Sequence, residues 1–345
     1  MKKINLSVTA IIIAAIVIIA GLGLGFLWWG NYLERETPSI KFNQDISIIG
    51  KQKKLDITFS DQKSGLSHIY AEIIQDNKGQ ILASENISAK GNKQKVVSLT
   101  VDTAVLKLHD GPATIKFTAA DHALFKNENI LSRPVTIDTI PLQIFPLNPV
   151  NHANQGGTCF IAFRTSKPTA STGVYVDSNF TPGYAASNDN KTTTVVYFPI
   201  PMDAANAKTT IKAFARDAAG NESMISIPCL IKEKKFRADK MNLNDAFLQQ
   251  KMPEFQVMVP SLRGKTPLET FIYVNGQMRS DNFRTIQSFC QKSSPTKLWD
   301  GTFLRMSNAS PMALFGDKRT YVVGSNAVGE SVHGGVDLAS TMHAP

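Results

Sequence analysis

The chain has 345 residues, 43% of them hydrophobic and 19% charged, and a formal net charge of +9. This composition excludes a disordered or collagen-like polymer and leaves room for two or three domains of ordinary size. The positive charge is uneven: between Ile231 and Thr320, 15 Lys/Arg stand against 8 Asp/Glu. Such a segment is either a plain solvated surface or one that attracts an anionic polymer such as cell wall, or a membrane surface.

The N-terminus carries the clearest organisational signal. Lys2 and Lys3 precede an uncharged run from Ile4 to Tyr32. That run exceeds the roughly 20 residues needed to cross a bilayer. It ends in Trp28, Trp29 and Tyr32, aromatics of the kind found at the lipid–water interface. A cleaved signal peptide has an apolar core of only about 7–15 residues, so residues 1–37 are expected to form a short cytoplasmic tip and an uncleaved single-pass anchor. Lysines on the short side keep that side in the cytoplasm, and the remaining chain is expected to be exported. With export and no recognisable binding motif, nucleic acid is not expected as a partner.

Two similar β modules are expected next, at 38–140 and 141–231. Thr114-Ile115-Lys116 matches Thr210-Ile211-Lys212, and Asp121 matches Asp217, both at an offset of 96 residues. Asn127-Glu128 and Asn221-Glu222 follow in turns. Both segments alternate apolar and polar residues, as a strand with one buried face does, and an offset near 100 residues suits one sandwich. Lys54 to Phe59 and Cys159 to Phe163 read as further strands, and Thr139-Ile140-Pro141 as the join. The segments "SDQKSGLSHIY" and "ARDAAGNES" resemble bacterial immunoglobulin-like or fibronectin-like extracellular modules, which implies spacers or binding surfaces. His68-x-x-x-Glu72 imitates a metal pair, but it sits in a strand without a nearby third ligand and is read as structural. His109, His122 and His152 stand alone and are read the same way. Cys159 and Cys229 either pair as a disulfide, leaving Cys290 free, or act with it as small hydrophobes.

From Lys232 to Leu304 the character becomes mixed and basic. A helix is expected around Leu243–Leu248, capped by Asn244 or Asp245 and stopped by Pro253. Phe271-Ile272-Tyr273-Val274 reads as a strand, with a tight turn at Asn275-Gly276.

The chemistry-bearing stretch is His333-Gly334-Gly335-Val336-Asp337. A neutral imidazole and a carboxylate four residues apart can reach one metal ion, and a catalytic zinc site needs three protein ligands plus an open position. Gly334 and Gly335 are expected to let an ion or substrate approach the backbone. The wider segment "FGDKRTYVVGSNAVGESVHGGVDLAS" resembles the start of the catalytic domain of lysostaphin-like (LytM-type) zinc endopeptidases, which cut peptidoglycan cross-bridges. Arg319-x-Tyr321 and Leu338-Ala339-Ser340 look like the membrane-anchored Gram-negative members, and "LNDAFLQQKMPEF" and "LWDGTF" are similar to the region preceding their peptidase.

The resemblance implies a zinc metalloendopeptidase with His333 and Asp337 as metal ligands. It also implies Zn2+ as cofactor, peptidoglycan peptides as substrate, and inner-membrane anchoring through residues 4–32 with the bulk of the chain in the periplasm. The family's downstream His-x-His, which supplies the third ligand and a catalytic histidine, has no counterpart; His343, the one later histidine, is read as structural. Residues 305–345 are therefore expected to be an incomplete N-terminal part of the peptidase domain, inactive by itself and weak in zinc, preceded by a pre-peptidase region at 232–304. The fold class expected is mainly β: a transmembrane helix, two immunoglobulin-like sandwiches, a mixed linker and the start of a β-rich peptidase domain. The competing expectation is a non-enzymatic membrane-anchored protein that binds cell wall or acts as a scaffold. A third is a signal-peptide-bearing secreted adhesin.

Overall fold

The computed structural model describes residues 8–89, 91–187, 190–294 and 298–340. Strand exceeds helix, 44% to 19%, so the chain is mainly β. It divides into two compact units: residues 1–142 with 216–223, and residues 143–215 with 224–345.

The first unit begins with helix α1 (Val8–Trp29). Ala10–Trp29 is long and apolar enough to cross a membrane, and none of it is buried against protein. At 1.5 Å per residue the helix is about 33 Å long, matching a hydrocarbon core of about 30 Å. Its apolar residues run all round the helix, so no single stripe exists with which it could dock on a soluble core.

Eight strands follow: β1 (Ser39–Phe42), β2 (Ile48–Ile49), β3 (Gln52–Ser60), β4 (Leu66–Gln75), β5 (Lys78–Asn86), β6 (Gln94–Asp102), β7 (Gly111–Asp121) and β8 (Glu128–Ile137). They form a three-stranded sheet, β1-β3-β6, and a five-stranded sheet, β2-β8-β7-β4-β5. Alternation decides which side chains face inward. In β3, Leu55, Ile57 and Phe59 are buried between half-exposed neighbours, and in β7 Ile115, Phe117 and Ala119 are buried. These residues join Ile69, Ala71 and Ile73 of β4 and Val101 of β6 in one hydrophobic core. Burying a Phe or Ile of this kind contributes about 1.5–3 kcal/mol, so the alternation itself holds the two sheets together.

Ten strands follow, all in the second unit except Arg216 of β16 and Glu222 and Ser223 of β17: β9 (Ile144–Pro146), β10 (Asn151–Asn154), β11 (Thr158–Thr165), β12 (Ser171–Val176), β13 (Asn179–Pro182), β14 (Tyr184–Ser187), β15 (Asn190–Pro199), β16 (Ile211–Arg216), β17 (Glu222–Ser226) and β18 (Cys229–Lys232). The sheets are β14-β15-β11-β9 and β13-β12-β16-β17, with β10 running parallel to β18. The connectivity repeats the first sandwich. Thus β9 pairs with β11 as β1 pairs with β3, and β16 lies between β12 and β17 as β7 lies between β4 and β8.

The repeat has a structural reason. Asp121 closes β7, and its Oδ1 accepts from the backbone N–H groups of Ala123 (3.0 Å) and Asn127 (2.9 Å). Its Oδ2 accepts from the Asn127 amide (2.7 Å), which also donates to the Glu34 carbonyl (3.1 Å). After β16, Asp217 accepts from the backbone (2.9 Å) and side-chain amide (3.1 Å) of Asn221, and that amide donates to the Asp138 carbonyl (2.8 Å). In both places an Asp–Asn clamp shapes the turn and holds the carbonyl of a residue that leads into a sandwich.

The second unit continues through β19 (Ala238–Asn242), α2 (Asp245–Met258), α3 (Pro267–Tyr273), α4 (Arg279–Cys290), β20 (Ser310–Ala313), β21 (Lys318–Val323), β22 (Asn326–Val332) and β23 (Asp337–Ala339). Strand β19 runs parallel to β21, β21 and β22 form a hairpin, and β20 pairs with β23. Leu248 and Met252 of α2, Phe271 of α3 and Tyr321 of β21 form a small shared core.

Two local expectations are corrected here. Phe271–Val274 is not a strand: it ends α3 and enters a π-helical turn at Val274–Met278. Thr266 and Glu269 form a full capping box with Pro267 at the first helical position, and this start signal prevails over the β-rich composition. Pro253 does not stop α2 but lies inside it, in a helix capped by Asn244. Leu248 and Met252, one turn apart and the latter just before Pro253, are the buried residues of this helix.

Candidate metal centre

Hairpin β21–β22 delivers His333 one residue past its end. The His333 N–H donates to the Asp317 carbonyl (2.8 Å), and Gly316 N–H donates to the His333 carbonyl (2.9 Å). Asp317 in turn accepts from Leu314 N–H through its carboxylate (2.9 Å). The turn that grips His333 requires glycine at 316, where φ is +90° and a Cβ would lie 2.3 Å from the Phe236 ring. Asp337 opens β23, whose pairing with β20 sets it across from Ala313.

The two sequence-expected ligands meet. His333 Nε2 lies 3.4 Å from Asp337 Oδ1, with the imidazole 16% exposed and the carboxylate 56%. Nε2 is sealed from solvent and has no hydrogen-bond partner, so this approach is not a hydrogen bond. Bonds of about 2.0–2.1 Å at a tetrahedral angle place two zinc ligands about 3.3 Å apart. A buried imidazole nitrogen without a partner, facing a carboxylate at that separation, fits a zinc ligand pair. Among the described residues, no third His, Cys, Asp or Glu completes a group with them. His343 lies outside the described residues.

A Cβ at Gly334 or Gly335 would meet nothing within 4 Å. The glycines therefore leave open space beside the pair, and the surrounding protein does not press on them. The lining of a groove next to the β20 strand includes Arg237, Lys240, Arg319, Ala313, Asp317 and Asp239, the last paired with Arg237 (2.7 Å). It carries more positive than negative side chains and includes Ala313, the strand partner of Asp337. Ser340 Oγ is buried without a partner. Tyr321 belongs to the core: its ring packs edge-on against Phe271 at 5.0 Å and its hydroxyl meets Ser331 Oγ at 2.9 Å.

The remaining histidines have ordinary surroundings. His68 Nδ1 meets Asn86 Oδ1 at 2.8 Å, while Glu72 is engaged by Tyr70 and Lys116. His109 meets Asp76, His122 meets the Ile87 carbonyl, and His152 is exposed. Cys159 and Cys229 place their sulfurs 3.9 Å apart as free thiols. Burial pushes the Cys159 thiol up to about 12 and raises that of Cys229 as well.

One group escaped the sequence reading. Glu34, Asp61 and Asp121 are buried and bring carboxylate oxygens within 4.8 Å of one another. Only Asp121 stood out in the sequence, through the repeat; nothing in residue spacing joins three positions so far apart along the chain.

No protein-family model matches the chain, and no curated protein matches it. Among solved structures, the chain is similar to one described as Rst D1-D2, at 12% identity and a TM-score of 0.22, covering 56% of this chain and 99% of that one. It is also similar to a tetra-tandem repeat in the extending region of a large adhesion protein, at 17% identity and a TM-score of 0.22, covering 55% of this chain and 48% of that one. Likeness at this TM-score carries no argument about function.

Proposed function

We propose that this chain is a membrane-anchored, periplasm-facing protein of the LytM zinc-endopeptidase type, directed at peptidoglycan peptides, with His333 and Asp337 as two of its zinc ligands. The observation that carries the reading is the pair itself: a sealed, unpartnered imidazole nitrogen 3.4 Å from a carboxylate oxygen. Its support beyond geometry is the resemblance of Phe315–Ser340 to the family's first ligand segment. Helix α1 would be the inner-membrane anchor, with the short lysine-bearing side in the cytoplasm.

His333 would offer Nε2 to the ion and Asp337 a neutralising charge. Zinc, when bound, would polarise the scissile amide carbonyl and bring the pKa of its water towards neutrality. The open space at Gly334 and Gly335 leaves room for an extended peptide. Arg319 and Lys240 in the adjoining groove suit carboxylates on such a peptide. With the two ligands found among the described residues, the ion would be held weakly and its water poorly activated.

A second reading, a non-catalytic anchored scaffold that binds wall polymer, draws support from the same two-ligand count among the described residues. Cobalt titration separates them. The parent chain is expected to develop visible Co2+ ligand-field bands that disappear in His333→Ala and Asp337→Ala. It should also retain more zinc after dialysis than either variant. Identical spectra and zinc contents in all three proteins would sink the metallopeptidase reading and leave the scaffold.

A further inference from the structure

A short stretch separates α1 from the first sandwich, and Glu34 lies in it. Asp61 follows the last residue of β3 and Asp121 is the last residue of β7. The three side chains come from distant positions, yet Glu34 is 9% exposed, Asp61 4% and Asp121 1%. Lys63, an exposed residue whose ammonium hydrogen-bonds Glu36, also interacts with Glu34 and Asp61. The Lys63 pKa is raised first by that bond, and further by the charges of Glu36, Glu34 and Asp61. One partly shared, solvent-facing ammonium leaves three gathered carboxylates under-compensated.

The hydrogen bonds around them orient oxygens without using them all. Asp61 Oδ1 accepts from Gly65 N–H (2.7 Å) and Lys63 N–H (3.1 Å), and Glu34 Oε1 accepts from Ser64 N–H (2.6 Å). Glu34 Oε2 and the hydroxyl of fully buried Ser64 are both sealed from solvent and have no partner. A nine-tenths-buried carboxylate with an idle oxygen in an acidic cluster is costly unless a cation takes it.

We infer that Glu34, Asp61 and Asp121 form a calcium site that ties the segment after α1 to two turns of the first sandwich. The donors are all oxygen, which selects a hard cation over zinc. Calcium–oxygen bonds of about 2.3–2.6 Å let two ligands of one ion lie up to about 5 Å apart, which covers the spread of this group. Magnesium keeps several waters in a tight octahedron, and three nearly sealed carboxylates leave little room for them. The second sandwich shows which residues are surplus to the clamp. It keeps Asp217 and Asn221, but the place of Asp61 is taken by Ser166: Ser60 and Thr165 are the equivalent strand ends, paired with Ser39 and Ile144.

The test uses the full chain in detergent micelles, stripped with EGTA and titrated with Ca2+ by calorimetry and thermal melting. One Ca2+ per chain is expected, with half-saturation around 10⁻⁴–10⁻³ M, the range of extracellular calcium modules, and a rise in Tm. Asp61→Asn and Glu34→Gln should each weaken binding at least tenfold, while His333→Ala leaves it unchanged. In EGTA, Glu34→Gln should melt no lower than the parent, because it removes one of three like charges. The proposal is overturned by absence of binding at millimolar Ca2+, by Mg2+ matching Ca2+ at equal concentration, or by parent-like affinity in both variants. A Glu34→Gln protein that melts well below the parent in EGTA also overturns it, because Glu34 would then be a structural acceptor.

Discussion

Phe271→Ala tests whether the helices of the second unit and the hairpin that carries His333 are one cooperative body. Phe271 is 5% exposed, packs edge-on against Tyr321 at 5.0 Å, and meets Phe247 at 6.4 Å. Truncating a buried Phe to Ala costs about 3–5 kcal/mol, of which the lost aromatic pairing is about 0.5–1.5 kcal/mol. Each 1.4 kcal/mol is a tenfold change in an opening equilibrium, so amides that exchange by opening of this body should speed up on the order of 10²–10³-fold. Among the described residues, four side chains in this core are buried, so little remains to resist the change. Hydrogen exchange read by mass spectrometry is the assay. Peptides covering α2, β19 and the β21–β22 hairpin should lose protection together, those from β3 and β7 should not change, and Co2+ binding at His333 should fall in parallel. Acceleration below about fivefold in the hairpin, or equal acceleration in β3, would refute the argument that Phe271 supports the metal pair.

The other predictions concern single groups. His109 Nε2 lies 2.6 Å from Asp76, and the imidazole pKa is raised, first by the Asp76 hydrogen bond and then by the Asp110 carbonyl. The pair's contribution is thus fully present below 6.5 and is lost as pH rises through the folded value. NMR titration should show Asp76→Asn lowering the His109 midpoint, and an unchanged midpoint would contradict the assignment. For the cysteines, buried Cys159 has a thiol pKa pushed to about 12 whereas Cys290 is exposed. Iodoacetamide at neutral pH should therefore label Cys290 first by mass spectrometry. Labelling of Cys159 at an equal rate would count against its burial.

Where strand alternation met a single buried face, the sequence sufficed. Leu55, Ile57 and Phe59 alternate with polar residues and all three point inward. The 96-residue correspondence also had a physical basis, since Asp121 and Asp217 build the same clamp with Asn127 and Asn221. Phe271 misled because aromatic and β-branched neighbours suit a strand, while the signal that mattered lay five residues upstream in the Thr266–Glu269 capping box. At the candidate metal centre, four-residue spacing was a weak signal, and the family resemblance of the surrounding segment singled out His333 and Asp337. The grip of Gly316 and Asp317 on His333 depends on a strand register that spacing does not encode. Glu34, Asp61 and Asp121 were illegible for a stronger reason: only the closure of the sandwich brings them together.

The hold on Glu34 also determines how the protein would bear tension. A pull transmitted through α1 reaches the sandwich at Tyr32, whose carbonyl accepts from Leu124 N–H (2.7 Å), and then at Glu34, whose carbonyl is bonded to the Asn127 side chain and whose carboxylate is bonded to Ser64 N–H. Force is thereby split between two turns of the sandwich before it can peel β1 from β3. Peeling an edge strand breaks hydrogen bonds one after another, whereas loading two anchored turns at once makes several bonds share the strain. The few residues between helix and sandwich would thus act as a strain relief, protecting the β1 edge from motion of α1.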